Sequence, residues 1–221
     1  MGAMVWASDA MVAEAGTCPG RSCRVFRDLG DGILSDQGDG CSMGLFGTLG
    51  SNRYMVTAGH CYHENAGAGM FFEMGRYESG IPDDLDNYRF GYALARMNDD
   101  IGTSSSVTDG NVVANPFGIK INGLNVDPQP GQRVCKQGWK TRNTCGTIRE
   151  VHENYILADD LKSTNGDSGG VVYLPAGGTG ATIGILIGKY RDTDTAIIQP
   201  IANLLDVIEK DRGEPLLPDF S

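Results

Sequence analysis

What the sequence lacks narrows its function first. No apolar run approaches the roughly 20 residues that a membrane-spanning helix needs; the longest is Ala181-Thr182-Ile183-Gly184-Ile185-Leu186-Ile187-Gly188. A transmembrane helix is excluded. Basic residues are scarce, with 18 Lys and Arg against 28 Asp and Glu and a net charge of -10. Such a chain offers no positive field to hold a phosphate backbone, which argues against a nucleic-acid partner. Histidine is rarer still: His60, His63 and His152 are the 3 in the chain. The Cys-x-x-Cys spacing favoured by zinc sites is absent, so neither metal nor other cofactor is expected. Glycine is plentiful, at 32 of 221 residues, yet without a period. That excludes collagen and suggests tight turns between many short strands.

The 6 cysteines are even in number in an acidic chain and indicate disulfides formed in an oxidising compartment. Sequence alone permits about 15 connectivities. Nearest-neighbour pairing would close three short loops, Cys18-Cys23, Cys41-Cys61 and Cys135-Cys145. Met1-Gly2-Ala3-Met4 has the look of an expression remnant, and a secreted protein with its signal peptide removed is expected.

Short β-prone stretches alternate with Gly, Asp and Asn clusters at residues 41–49, 53–58, 69–74, 88–97 and 110–114. The same rhythm returns at 133–136, 146–151, 155–158, 170–174, 182–187 and 196–199. Turn formers gather between Asn122 and Gly131 and suggest a boundary there. The expected organisation is an arm over 1–23, a β-half over 24–121, a second over 122–199, and a helix with its tail over 200–221. Ile201, Leu204, Leu205 and Ile208 form the helical stripe, with Asp206, Glu209, Lys210 and Asp211 on its wet side.

Chemistry concentrates in two places. In Asn165-Gly166-Asp167-Ser168-Gly169-Gly170 a serine is flanked by glycines, whose backbone freedom lets the amides of Gly166 and Ser168 converge on a developing oxyanion. In Val56-Thr57-Ala58-Gly59-His60-Cys61 a histidine follows a β-prone run, and an imidazole is suited to take a serine proton. Together these T-A-G-H-C and G-D-S-G-G motifs resemble the chymotrypsin-like serine proteases, above all the secreted bacterial streptogrisin and α-lytic branch. Val134-Cys135-Lys136-Gln137-Gly138, Cys145-Gly146-Thr147-Ile148 and Gln199-Pro200 extend the resemblance over residues 41–210. It implies an all-β fold of two six-stranded antiparallel barrels, with the site between them. It further implies His60 as base, Ser168 as nucleophile, Gly166 and Ser168 as oxyanion donors, and Cys41-Cys61 and Cys135-Cys145 as bridges. Asp167 would be buried and paired with Lys136. The partner is then a peptide or protein substrate, and the enzyme a monomer. His63 and His152 are expected at the surface.

The family pattern breaks in two positions. Its third triad member begins a strand of the form D-Y-A-L-x-R, and here Phe90-Gly91-Tyr92-Ala93-Leu94-Ala95-Arg96 has Gly91 in that place. Ile187 stands where the family usually has a serine supporting that carboxylate. Asp99 or Asp100, or one of Asp83, Asp84 and Asp86, is left as a replacement. His60 is expected to face water, a backbone carbonyl or such a displaced acid. Hydrolysis should then be slow, and Gly91→Asp with Ile187→Ser should raise it about 10² to 10⁴-fold. The reading is an endopeptidase with a non-standard triad; the alternatives are a protease-fold protein that works by binding, and an unrelated disulfide-stabilised surface protein.

Overall fold

A computed structural model of the chain describes residues 25–35, 40–69, 73–107, 118–191 and 193–220. The arm over 1–23, the Cys18-Cys23 pair and the stretch 110–114 lie outside these residues.

The first half supplies β1 (Val25–Asp28), β2 (Gly32–Ser35), β3 (Gly40–Ser42), β4 (Leu45–Leu49), β5 (Asn52–Thr57), β6 (Gly67–Gly69), β7 (Glu73–Ile81), β8 (Tyr92–Met97) and β9 (Ile101–Ser104). The second, whose sheet takes in strands ahead of the expected boundary at 122, supplies β10 (Ser106–Val107), β11 (Ile119–Leu124), β12 (Arg133–Gly138), β13 (Arg142–Val151), β14 (Ile156–Asp159), β15 (Val171–Ala176), β16 (Thr179–Lys189) and β17 (Ala196–Pro200). Helix α1 (Ile201–Arg212) and β18 (Leu217–Pro218) complete the described chain.

The second half closes on itself. Strands β12, β13, β14, β17, β16 and β15 pair in that order, and β15 pairs back to β12. Long β16 makes closure possible, because register shifts between Leu186 and Gly188 and between Val172 and Tyr173 coil it enough to pair on both edges. Val134, Ile148, Ile156, Val172, Ile183 and Ile198 fill the barrel.

The first half forms an eight-stranded sheet in the order β18-β4-β5-β8-β7-β6-β2-β3. Two closed six-stranded barrels were expected; among the described residues only the second is closed by hydrogen bonds, and β18 returns from the far end of the chain to extend the first. Met43, Leu45, Met55, Val56, Tyr77 and Leu94 form its core. Strands β1 and β9 pair in parallel beside it.

Helix α1 buries Ile201, Leu204 and Ile208 as its 3.6-residue spacing dictates, and Gly213 ends it in the left-handed region at φ 73°. It packs against β16 and β17 and also touches β8. Asp211, expected on the wet face, accepts the Tyr92 hydroxyl proton, so the helix ties the two sheets together. Among the described residues no helix is long and apolar enough to cross a membrane.

Candidate active site

His60 sits in a single 3₁₀ turn, Gly59–Cys61, that ends β5. The Cys41-Cys61 disulfide pins this turn to β3. Its carboxylate partner is Asp83. One oxygen, Oδ2, accepts the Nδ1 proton of His60 at 2.6 Å and the His60 backbone N–H at 3.0 Å; the other, Oδ1, accepts the Gly91 N–H at 2.9 Å. The Asp83 side chain has 0% exposure and the His60 ring 38%. A buried carboxylate with three donors is satisfied, and it holds the imidazole with Nδ1 protonated and Nε2 turned outward as an acceptor.

The carboxylate therefore reaches the histidine from the loop after β7 and meets the backbone of position 91. Gly91 is a steric requirement of that arrangement. A Cβ built there would lie 1.7 Å from the Ile81 carbonyl oxygen and 2.9 Å from that of Pro82. The expectation that Gly91→Asp with Ile187→Ser would raise hydrolysis is thus corrected, since the space that a carboxylate side chain at position 91 needs is occupied by the backbone that delivers Asp83. The other candidates are elsewhere. Asp84 accepts from the Asn87 backbone and side-chain amides at 3.3 and 2.8 Å, and Asp86 lies in the exposed turn Leu85–Asn87. Asp99 lines a separate cavity with Asn65, Arg76 and Glu78, and Asp100 follows it in the turn before β9.

Ser168 lies on the second half, at the mouth of its barrel. The loop from Asn165 to Gly170 is fixed from below by Asp167. This side chain is fully buried with Lys136, at 3.6 Å. It accepts Thr141 Oγ1–H at 2.6 Å, the amides of Thr141 and Thr164 at 3.0 Å each, and that of Lys140 at 2.8 Å. Burial alone would push the Asp167 pKa up, but these donors and the Lys136 ammonium outweigh it and hold it below the ordinary carboxylate range. Burial pushes the Lys136 pKa down, against the pull of Asp167; the ammonium also donates to the Arg142 carbonyl at 2.9 Å and to the Thr141 hydroxyl.

A carboxylate with a depressed folded pKa stabilises the protein above its unfolded value, near pH 4, and that contribution disappears as pH falls through the folded value. Acid titration of thermal stability should therefore show a fall below about pH 4 that Asp167→Asn flattens. At neutral pH this variant should lose about 3 to 5 kcal/mol, because it strands a buried ammonium. Equal melting temperatures for the two proteins at pH 7 would refute this role.

Gly166 adopts φ 99°, a region closed to most side chains. The amides of Asp167, Gly169 and Gly170 donate to the carbonyls of Thr164, Leu186 and Asp167, at 3.0, 2.6 and 2.9 Å. Those of Gly166 and Ser168 have no carbonyl partner among the described residues, as oxyanion donors require. Ser42 was missed by sequence reasoning and clamps this loop to β3. Its N–H donates to the Ser168 carbonyl at 2.7 Å, its hydroxyl to the Gly166 carbonyl at 2.7 Å, and it receives the Trp139 N–H at 2.8 Å.

His60, Gly166 and Ser168 line one open cavity of about 580 Å³, with Leu34, Cys41 and Trp139. The Ser168 hydroxyl donates to the Ile187 carbonyl at 3.3 Å. Cys135-Cys145 joins β12 to β13. His63 is half-buried, edge-on to Tyr77 at 6.4 Å, and exposed His152 follows β13 beside Glu150. Cys41, His60 and Cys61 gather within 4.8 Å, but both sulfurs are in a disulfide and neither is a thiolate ligand.

Two antiparallel β halves, with a histidine turn on one and a G-D-S-G-G loop on the other, constitute the chymotrypsin-like fold. A glutamic-acid-specific serine protease, described as using a histidine triad in substrate binding, superposes with TM-score 0.66 and 24% identity, over 86% of this chain and 100% of that one. Cellulomonas bogoriensis chymotrypsin superposes with TM-score 0.63 and 20% identity, over 88% and 100%. In sequence, Glutamyl endopeptidase 2 of Streptomyces griseus is 27% identical over 189 residues, 80% of this chain and 95% of that protein. An uncharacterised protein of Mycobacterium tuberculosis is 33% identical over 96 residues, which is 42% of this chain and 40% of that protein. No family model matches the chain.

Proposed function

We propose that the protein is a secreted serine endopeptidase in which Asp83, His60 and Ser168 act as the triad and the amides of Gly166 and Ser168 as the oxyanion hole. The single observation that carries this reading is the buried Asp83 carboxylate on His60 Nδ1 at 2.6 Å. Ser168 attacks the scissile carbonyl while His60 Nε2 takes its proton. The two amides stabilise the tetrahedral oxyanion, and the imidazolium, stabilised by Asp83, returns the proton to the leaving amine. Water then repeats the sequence on the acyl-enzyme. With a carboxylate in place, the reason for expecting slow hydrolysis falls away.

The bond from Ser168 to the Ile187 carbonyl favours a second reading, a protease-fold protein that binds peptides without cutting them. A fluorophosphonate distinguishes the two, because it labels only an activated serine. Stoichiometric labelling of the wild type, lost in Ser168→Ala and His60→Ala, is expected. An intact wild-type protein that remains unlabelled would support the binding reading.

A further inference from the structure

The loop that carries Asp83 is closed within itself and held from outside at its far end. Inside it, the backbones of Asp84 and Arg89 exchange hydrogen bonds at 2.7 and 3.0 Å, and the Asp84 side chain caps the turn Leu85–Asn87. These bonds shape the loop without fixing where it stands. Outside contact comes from Tyr88, which adopts φ 51°, a conformation that a bulky side chain takes at a cost. In this posture its ring crosses to the second barrel. It stacks on Tyr155 with centroids 4.4 Å apart and planes 29° apart, and Tyr155 in turn stacks on His152 at 4.2 Å. Phe90 meets Tyr88 edge-on at 6.4 Å. The Tyr88 hydroxyl is hydrogen-bonded to that of Tyr190, which follows β16. That bond, with burial, pushes the Tyr190 pKa up to about 12, so its phenol stays neutral across the physiological range. A second hold is the Gln199 side-chain amide on the Phe90 carbonyl, at 3.3 Å.

We propose that Tyr88 is a positioning residue for the Asp83 carboxylate: its stack on Tyr155 of the second barrel sets the loop of the first sheet so that Asp83 meets His60. The inference rests on the triad reading above. Its consequence is that the histidine–carboxylate half of the site, although built entirely on the first sheet, depends on the second barrel for its alignment. A displacement of the carboxylate of about 1 Å is enough to cost a factor of about 10² in turnover.

The test compares Tyr88→Phe, Tyr88→Ala and Tyr155→Ala in the full chain, by proton NMR of the His60 Nδ1 hydrogen and by peptide hydrolysis. Tyr88→Phe keeps the ring stack and should retain a slowly exchanging Nδ1 proton and kcat within about twofold of wild type. Tyr88→Ala and Tyr155→Ala should each broaden or lose that resonance and lower kcat about 10 to 100-fold with little change in KM. The double Ala variant should add little to either single one, as expected for two halves of one contact. If Tyr88→Ala does not fold, Tyr155→Ala carries the test from the other side of the stack. A sharp Nδ1 resonance with wild-type kcat in a folded Ala variant overturns the inference. The NMR reading does not require turnover. Loss of the resonance in a protein that never reacts with the fluorophosphonate would uphold the positioning role while refuting the peptidase reading.

Discussion

Asp83→Asn is expected to lower kcat about 10³ to 10⁴-fold, the loss known for removing the triad carboxylate of a serine protease, while leaving KM within about a factor of two. The carboxylate faces three donors: the ring N–H of His60, its backbone N–H and the Gly91 N–H. An amide has one acceptor oxygen and one NH₂ group, so in either orientation its NH₂ meets a donor. The imidazole then turns or changes tautomer, and Nε2 no longer accepts the serine proton. Steady-state kinetics with a fluorogenic peptide, with circular dichroism to show that the variant is folded, measures the effect. A loss smaller than tenfold in a folded variant would mean that Asp83 is not the triad acid.

Gly91→Asp, which the family pattern pairs with Ile187→Ser as a way to raise hydrolysis, is expected to abolish it. The clash begins at Cβ, 1.7 Å from a backbone oxygen and 2.4 Å from its carbon at Ile81, so the end of β7 has to move and to take Asp83 with it. A second carboxylate would also arrive beside the first in a buried space, where an uncompensated charge is costly. A loss of stability of about 3 kcal/mol or more is expected, the size typical of forced overpacking joined to a buried charge, together with loss of hydrolysis. Gly91→Ala should be destabilising in the same direction, because it shares the Cβ. Thermal melts of both variants check this. A gain in turnover for Gly91→Asp, with or without Ile187→Ser, would overturn the steric argument.

Local chemistry made parts of this molecule legible in advance. The histidine and serine motifs carry their own neighbours with them, and Lys136 follows Cys135 in a short pattern, so its burial against Asp167 was foreseeable. Helix α1 announces itself through its 3.6-residue spacing. Strand β7 did not, because Glu73, Arg76 and Glu78 break its apolar alternation and Tyr77 and Met74 carry its burial almost alone. Strand β9 was hidden too, since Ile101 is its single large apolar residue and the buried positions after it are Gly102 and Thr103. Asp83 was one acid among five candidates, and what selects it is tertiary: the loop must fold back until an oxygen of position 83 meets the amide of position 91. The only trace in the sequence is a glycine where a side chain was expected, and a glycine alone reads equally well as loss of function.

Strand β18 has a consequence for the order of events in folding. It pairs Leu217 and Pro218 with Thr48 and Gly47 across about three quarters of the chain. The sheet that carries His60 and Asp83 thus lacks an edge strand until these late residues have been synthesised. Contacts this distant in sequence slow folding, because the closure entropy of the loop is lost before the pairing compensates it. On the ribosome the first half emerges early with the edge of β4 unpaired, a surface open to wrong partners. Truncation before Leu217 should therefore lower the yield of native protein more than its melting temperature, with aggregation during refolding as the visible symptom.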